Sequence, residues 1–361
     1  MSSNWGNKVK FSLFGESHGA AIGGVIDGLP PGIELDIDFI KKEMDRRKPG
    51  ADPYSTKRKE DDSFEILSGF FNGYTTGTPL AFIIRNQDNR SKDYSKLKDI
   101  MRPGHADHTG SIRYKGFNDY RGGGHFSGRI TAPLVFYGAV AKQILYDNYD
   151  IRILSRIKRI SDVEDKELDH INADADDLSG VLSNKKIPVL DADKGRKMEE
   201  AIENAKNCLD SVGGIIECMA FNVPAGHGMP FFESLESKIA HLVFSVPATK
   251  GLEFGKGFEI SKMKGSKAND SFFYDEDNRI KARSNNNGGI LGGITNGLPV
   301  VFSTAIKPTA SISIEQNTID IKNKQNAKLA VTGRHDPCIV PRALPVIESC
   351  MSIALLELLL V

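Results

Sequence analysis

Short polar segments, most of them rich in glycine, interrupt the apolar runs of this chain and limit what it can fold into. Glycine accounts for 35 of the 361 residues, and much of it is clustered. The segments that combine such turns with chemically active side chains are residues 14–19, 102–110, 120–129, 285–294, 307–312 and 333–338. Because glycine turns the backbone sharply and lets it approach a ligand closely, these segments predict either tight turns or backbone that lies against a ligand.

The stretches between these segments alternate between strand and helix patterns. Apolar alternation and turn residues predict strands over residues 9–14, 21–26, 64–71 and 79–84. Helical spacing predicts helices over residues 38–47 (capped by Asp36 or Asp38), 132–146, 194–209, 233–245 and 345–359. Two charged stretches, 161–186 and 262–283, are interpreted as surface excursions. Since no long linker rich in proline or serine divides the chain, we expect one large α/β or α+β domain over residues 1–361.

Composition disfavours several classes of protein. The 47 basic and 47 acidic residues give no net charge, which argues against a general nucleic-acid binder. Cys208, Cys218, Cys338 and Cys350 have no zinc-site spacing and predict free thiols in a reduced compartment. No signal peptide is evident, and the apolar end, residues 353–361, is shorter than the roughly 20 residues that span a bilayer. We therefore expect a cytoplasmic protein without membrane or nucleic-acid partners.

Two segments place histidine beside glycine. His18 lies in a turn directly after a predicted strand, and an imidazole with a pKa near 6.5 suits proton transfer. A merely solvated turn explains His18 equally well. In the second segment, Arg102 and His105 in a Pro-Gly turn suggest anion binding with acid–base chemistry. The spacing of His105 and His108 is only a weak indication of a metal, because such sites usually need a third ligand.

The remaining segments favour phosphate binding. Residues 120–129 lead into a predicted helix, whose free N–H groups can hold a phosphate, yet they match neither a dinucleotide fingerprint nor a P-loop. Two Gly-Gly pairs in 285–294 suit packing against a flat ligand or another strand. Segment 307–312 joins a lysine to hydroxyls, and 333–338 joins arginine, histidine and aspartate. Together they predict an enzyme with a phosphorylated substrate, a phosphorylated cofactor, or both.

These segments resemble the signature blocks of the chorismate synthase family, in the family's order. The blocks are GESHG at 15–19, DRRKPG at 45–50, RPGHAD at 102–107, RGGGHFSGR at 121–129, GGILGGI at 288–294, KPTAS at 307–311 and GRHDPC at 333–338. The resemblance implies a β-α-β sandwich, usually a homotetramer. It also implies a lyase of aromatic amino acid biosynthesis. Such a lyase converts 5-enolpyruvylshikimate 3-phosphate to chorismate by 1,4-anti-elimination of phosphate and requires reduced FMN.

The resemblance also implies roles for individual residues. His105 resembles the histidine that keeps the reduced flavin suitably protonated, and His18 the one that protonates the departing phosphate. Asp336 resembles the carboxylate that works with the flavin in hydrogen removal. The matching substrate-binding residues are Ser17, which lies beside His18 and can orient it, Arg47, Arg102, Arg129 and Arg334. The matching FMN-binding residues are His125, Phe126, Ser127, Gly292, Lys307, Pro308, Thr309, Ala310, Ser311 and Arg334.

The sequence departs from the family pattern in three places. Residues 125–128 read His-Phe-Ser-Gly where many members have Arg-Ser-Ser-Ala. Residues 246–248 read Val-Pro-Ala where members often have Asn-Ala, so a polar flavin contact is in question. Pro53 occupies the position of an arginine found in many members, for which Lys57 or Arg58 are candidate substitutes.

Two further interpretations stay open at this point. The chain can be a non-catalytic protein that binds a flavin or a phosphorylated metabolite, although His18, His105 and Asp336 together argue against mere binding. It can also reduce its own flavin with NADPH, as some members do, instead of relying on a separate flavin reductase. The sequence contains no dinucleotide fingerprint that would decide this question.

Overall fold

A computed structural model describes residues 3–50, 62–86, 97–183, 185–331 and 335–360 of the chain. The described residues form two five-stranded antiparallel sheets with helices between and around them. The first sheet has the order β1-β2-β3-β7-β4, with β1 Asn4–Trp5, β2 Lys10–Gly15, β3 Ala21–Asp27, β4 Phe64–Ser68 and β7 Leu80–Arg85. The second has the order β11-β16-β10-β8-β9, with β8 Arg152–Ile160, β9 Val163–Glu164, β10 Gly214–Phe221, β11 Thr249–Phe254 and β16 Val300–Ile306.

The described residues also form four two-stranded hairpins. They pair β5 Phe70–Phe71 with β6 Tyr74–Thr75, β12 Phe272–Tyr274 with β13 Ile280–Ala282, β14 Ile290–Leu291 with β15 Ile294–Thr295, and β17 Gln316–Asp320 with β18 Gln325–Leu329. The α-helices of the described chain are α1 Ile37–Arg47, α2 Asp107–Arg113, α3 Thr131–Tyr149, α4 Ala175–Leu182, α5 Ala192–Asn207, α6 Leu235–Ser245, α7 Gly265–Ala268 and α8 Val340–Leu359.

Helices α3 and α8 form the layer between the sheets. Helix α3 packs against β3 of the first sheet, and α8 packs against β8 and β10 of the second. The two helices approach closely because Gly138 leaves room: a Cβ there would lie 2.1 Å from Ser349 Oγ. The hydroxyl of Ser352 donates a hydrogen bond to the Gly138 carbonyl at 3.0 Å. Sheet, helix layer and sheet form the β-α-β sandwich that the family resemblance implies.

The predicted helices agree with the structure within a few residues, except at the end of the chain. Asp36 caps α1 by accepting hydrogen bonds from the N–H groups of Asp38 and Phe39, as predicted. Helix α8 begins at Val340, five residues before the predicted start at 345. Pro341 lies in its first turn, where a missing N–H costs no intrahelical bond.

Strands β8, β10, β11 and β16 were not predicted. The excursions at 161–186 and 262–283 contain β9 with α4, and β12 with β13.

A buried ionic cluster ties the first of these excursions to the second sheet. Glu217 of β10 lies directly opposite Arg156 of β8, and its Oε2 is 2.6 Å from Arg156 Nε. Arg156 also donates to Asp165 at 2.8 Å, and His170 Nε2 lies 3.3 Å from Glu217. Burial raises the pKa of Glu217, but the contacts with His170 and Arg156 outweigh it and lower this pKa to about 2.

This cluster predicts a specific loss of stability in acid. Because the pKa of Glu217 is lower in the folded chain than the roughly 4.3 of an unfolded glutamate, ionised Glu217 stabilises the fold above that pH. The contribution disappears as the pH falls toward 2. We expect the free energies of unfolding of the wild type and Glu217→Gln to differ most at pH 5 to 7 and to converge below pH 4. Urea unfolding at each pH measures this difference, and a difference independent of pH would contradict the expectation.

No helix in the described parts of the chain is long and apolar enough to cross a membrane. Cys208 is exposed, whereas Cys218, Cys338 and Cys350 are buried, and none of the four forms a disulfide bond.

Candidate active site

A cavity of about 840 Å³ opens where the start of α3, the end of α6 and the start of α8 meet. Four of the six polar segments contribute to its wall: 102–110, 120–129, 307–312 and 333–338. The predicted site residues that line it are Arg47, Arg102, His105, His125, Phe126, Ser127, Arg129, Lys307, Pro308, Thr309, Ala310, Ser311 and Asp336. Segments far apart in the sequence therefore meet at one place, as the interpretation of the sequence as an enzyme requires.

The triple glycine of segment 120–129 brings two histidines together. Gly122, Gly123 and Gly124 all have positive φ angles, of 58°, 86° and 54°, which other residues adopt only at a cost. A Cβ at Gly122 would lie 2.2 Å from His18 Cε1, and a Cβ at Gly123 would lie 3.2 Å from His105 Nε2. Both imidazoles thus contact the same short loop. Only glycine permits this approach.

His18 lies behind the wall rather than in it. The side chain is buried, and its Nδ1 is 3.2 Å from Ser17 Oγ, so Ser17 is placed to orient the ring. The N–H of Ser17 donates to the Gly124 carbonyl at 3.1 Å, which attaches segment 14–19 to the glycine loop. His18 is not itself among the cavity-lining residues, but it contacts Gly122, which is.

His105 is held by a carboxylate that sequence reasoning did not single out. Its Nδ1 lies 2.6 Å from Asp107 Oδ1 and 3.1 Å from Arg102 Nη2. The shorter contact with an anion favours a proton on Nδ1, which leaves Nε2 facing the glycine loop. Burial raises the pKa of Asp107, but hydrogen bonds from Arg102 and His105 outweigh it and hold this pKa well below its usual value. Asp107 is therefore an ionised partner of His105 at neutral pH.

Arg102 also joins two segments of the wall. Its Nε and Nη2 donate to the two Asp107 oxygens at 2.7 and 2.8 Å, and Nη1 donates to Ser311 Oγ at 3.2 Å. Lys307 Nζ donates to the Gly104 carbonyl. Partial burial and the neighbouring Lys250 lower the pKa of Lys307. Segments 102–110 and 307–312 thus form one cationic wall.

A second carboxylate missed by sequence reasoning joins Arg47 and Arg129. Asp62 is buried, and it accepts from Arg47 Nε at 2.9 Å and from Arg47 Nη2 on one oxygen, and from Arg129 Nη1 on the other. Arg129 Nε also donates to Asn86 Oδ1 at 3.2 Å. Both arginines line the cavity.

Asp336 has a counter-ion on α8. Its Oδ2 lies 3.1 Å from Nη1 of Arg342, which lies in the first turn of that helix and also lines the cavity. The hydrogen bond from the Val212 N–H to the Pro337 carbonyl, 2.8 Å long, fixes the adjoining backbone. Because Arg342 is only six residues after Asp336 in the sequence, a search for a nearby cation could have identified it.

The residues that depart from the family pattern at 125–127 make contacts with other residues of this chain. His125 Nδ1 donates to the Gly15 carbonyl at 2.8 Å, and Phe126 packs against Tyr114 and Gly110. Ser127 Oγ accepts from the Arg129 N–H at 3.3 Å, at the turn that precedes α3. Val246, Pro247 and Ala248 line the cavity and offer no side-chain donor there.

The structure does not bring every predicted site residue to the cavity. Gly292 lies in the turn between β14 and β15, outside the wall formed by the described residues. Its predicted flavin contact stays a prediction. Arg334, Pro53, Lys57 and Arg58 lie outside the described residues.

The charge of the wall explains how a chain without net charge can hold anions. Among the lining residues that the structure describes, the lysines and arginines are Arg47, Arg102, Arg129, Lys250, Lys307 and Arg342, whereas Asp336 is the one carboxylate. The buried hydroxyls of Thr249 and Thr309, both lining residues, have no hydrogen-bond partner among the described residues. No group of three or more histidine, cysteine or carboxylate side chains suited to a metal occurs in the described segments.

A cationic cavity with a histidine–carboxylate pair, set into a β-α-β sandwich, defines an enzyme that acts on anionic small molecules. The model of the chorismate synthase family matches residues 9–360. Chorismate synthases from Thermococcus kodakarensis and Pyrococcus abyssi are 45% and 47% identical over 98% of this chain and 97% of theirs. A crystal structure of chorismate synthase, 28% identical, superimposes with a TM-score of 0.77 over 99% of this chain and 93% of that one. The chain belongs to the chorismate synthase family, whose members are lyases acting on phosphates.

Proposed function

We propose that this protein removes phosphate from 5-enolpyruvylshikimate 3-phosphate by 1,4-anti-elimination, with reduced FMN and the substrate bound together in the cavity. The observation that supports this most directly is the meeting of His105 and Asp336 in one cavity with six cationic side chains. Binding alone does not require a histidine held by one carboxylate and a second carboxylate held by an arginine. A lyase that expels an anion and removes a hydrogen requires groups of this kind.

The cavity suits a phosphorylated flavin. Its volume lies within the range of roughly 300–1,000 Å³ typical of cofactor sites. Lys307 and the unpartnered Thr309 hydroxyl can hold a phosphate, and apolar side chains such as Leu134 and Val246 can pack against a flat ring. We expect Phe126 and residues 307–311 to hold the FMN. When bound, reduced FMN supplies electron density that assists cleavage of the allylic C–O bond.

The protein's own residues then manage protons and anions. His105 holds a proton on Nδ1 toward Asp107 and presents Nε2 toward the ligand side, which stabilises the reduced cofactor's protonation state. His18, oriented by Ser17 and packed against Gly122, is the group proposed to supply the proton that the departing phosphate takes up. Asp336, oriented by Arg342, accepts the proton that leaves during hydrogen removal. Arg47, Arg102 and Arg129 bind the anionic groups of the substrate, and Arg334 is proposed to join them.

The test is an anaerobic assay of the full-length chain with the phosphate ester and dithionite-reduced FMN. We expect phosphate release and chorismate absorbance to rise in equal amounts, and neither to rise without reduced FMN. Tight binding of substrate and flavin without either product would instead identify a non-catalytic binding protein.

Two further properties are proposed with this function. We expect each chain to be a single catalytic domain and the protein to be a homotetramer. Light scattering measures the number of chains in the assembly directly. Turnover with NADPH and oxidised FMN in the same assay would identify a chain that reduces its own flavin. Turnover only with dithionite would indicate a separate flavin reductase.

A further inference from the structure

Asp62 occupies an unusual position, between two arginines that both line the cavity. Its carboxylate is 3% exposed, and Arg47 and Arg129 are as deeply buried. One oxygen accepts from Nε and Nη2 of Arg47, and the other accepts from Nη1 of Arg129. The three side chains therefore form a clamp, the arginine clamp, in which each guanidinium meets a different oxygen.

The electrostatics of the arginine clamp require its carboxylate. Two guanidinium groups this close repel each other, and Asp62 offsets that repulsion. Burial raises the pKa of Asp62, but the charges of Arg47 and Arg129 outweigh it and keep this pKa below its usual value. The three side chains together carry one net positive charge, which favours the binding of an anion at this part of the cavity wall.

The N–H donors of Arg47 that Asp62 does not use also indicate an anion-binding site. Arg47 uses Nε and Nη2 on Asp62, and its Nη1 makes no hydrogen bond to any residue in the described ranges. Since Arg47 lines the cavity, the N–H groups on Nη1 are the ones left to bind a ligand. A guanidinium fixed on one edge and open on the other is suited to recognise an oxyanion.

We propose that Asp62 is a positioning residue that aligns Arg47 and Arg129 as a paired site for one oxyanion of the substrate, a carboxylate or the phosphate. Asp62 itself touches neither the substrate nor the cofactor and acts only through the two arginines. The identity of the substrate rests on the proposed function. The pairing of the arginines and their anion site does not.

The first test compares Asp62→Asn with Glu65→Gln. Glu65 is a matched control on the same stretch, since it also pairs with an arginine, Arg85, but both are exposed. We expect kcat/KM for the phosphate ester to fall roughly 100-fold in Asp62→Asn, mostly through a higher KM, and to stay within twofold in Glu65→Gln. A kcat/KM of Asp62→Asn within threefold of the wild type would overturn the proposal.

A double-mutant cycle separates positioning from general destabilisation. If Asp62 acts through the arginines, Asp62→Asn should reduce kcat/KM much less in an Arg129→Met background than in the wild type. Equal losses in both backgrounds would contradict the clamp. If Asp62→Asn does not fold, Asp62→Glu keeps the charge and lengthens the side chain by one methylene. We then expect a raised KM with a melting temperature close to that of the wild type, and an unchanged KM would be contrary evidence.

Binding measurements keep the inference independent of the lyase activity. Inorganic phosphate and shikimate, which carries a carboxylate and no phosphate, serve as separate probes by calorimetry. We expect at least one of them to bind the wild type and Glu65→Gln alike and to bind Asp62→Asn at least tenfold more weakly. The probe that loses affinity identifies the oxyanion. Unchanged affinity of Asp62→Asn for both probes would sink the proposal, whereas a wild type that binds the probes but lacks lyase activity would refute only the proposed function.

Discussion

Asp336→Asn and His105→Ala are each expected to lower turnover by roughly 10²- to 10⁴-fold while changing the dissociation constant of FMN by less than tenfold. The reason is that both side chains line the cavity and are held there by a charged partner. Asp336 is held by Arg342 at 3.1 Å, and His105 by Asp107 at 2.6 Å, so both reacting groups are oriented before a ligand arrives. Asp336→Asn removes the negative charge of the carboxylate, and His105→Ala removes the imidazole, but both variants keep Lys307 and the apolar wall in place.

Matched controls distinguish these roles from general damage. His108→Ala removes an exposed imidazole three residues after His105, outside the cavity wall, and Asp277→Asn alters an exposed carboxylate. Both controls should retain turnover within twofold. Stopped-flow turnover and fluorescence titration of oxidised FMN measure the two quantities separately. Parallel losses of flavin affinity and turnover in Asp336→Asn or His105→Ala would contradict the assigned roles.

The parts of the fold that the sequence predicts are those in which apolar residues recur at regular spacing. Helices α3, α5 and α6 carry regular apolar faces, and their bounds agree with prediction within three residues. Strands β8 and β10 were not predicted because charged residues interrupt their apolar pattern. Arg156 and Glu217 look like surface residues in the sequence, yet they are buried opposite each other. Burial of these two charges is tolerated only because the distant strands β8 and β10 pair and bring the opposite charges together. The pattern of residues along the sequence does not show this pairing.

The candidate site likewise contains residues that the sequence predicts and residues that it does not predict. Histidines, arginines and Asp336 were predicted from short polar segments together with the family resemblance, and the structure places His105 and Asp336 in one cavity. The partners that orient them were not predicted. Asp107 and Arg342 lie close to their partners in sequence, so a counter-ion search within six residues could have found them. Asp62 is 15 residues from Arg47 and 67 from Arg129, and nothing local marks it.

The largest stability effect is expected at a buried ionic network in the helix layer. Lys142 of α3 contacts Glu43 of α1 and Glu348 of α8, and Arg46 donates to Glu348 at 2.6 and 2.7 Å. Ser155 of β8 donates to the same carboxylate at 2.5 Å. Burial raises the pKa of Glu348, but Arg46 and Lys142 lower it to about 2. The network holds two cations and two anions, so it is neutral only while complete.

Lys142→Met should therefore lower the free energy of unfolding by about 3–5 kcal/mol, because two buried carboxylates would share one remaining cation. Adding Glu43→Gln removes one of those carboxylates and should recover more than about 1 kcal/mol. Lys41→Met on α1 breaks an exposed pair with Asp38 and should cost less than about 1 kcal/mol. Urea unfolding followed by circular dichroism compares the three variants. If Lys142→Met were no less stable than Lys41→Met, or if the second substitution deepened the loss, the network would not hold the layer as argued.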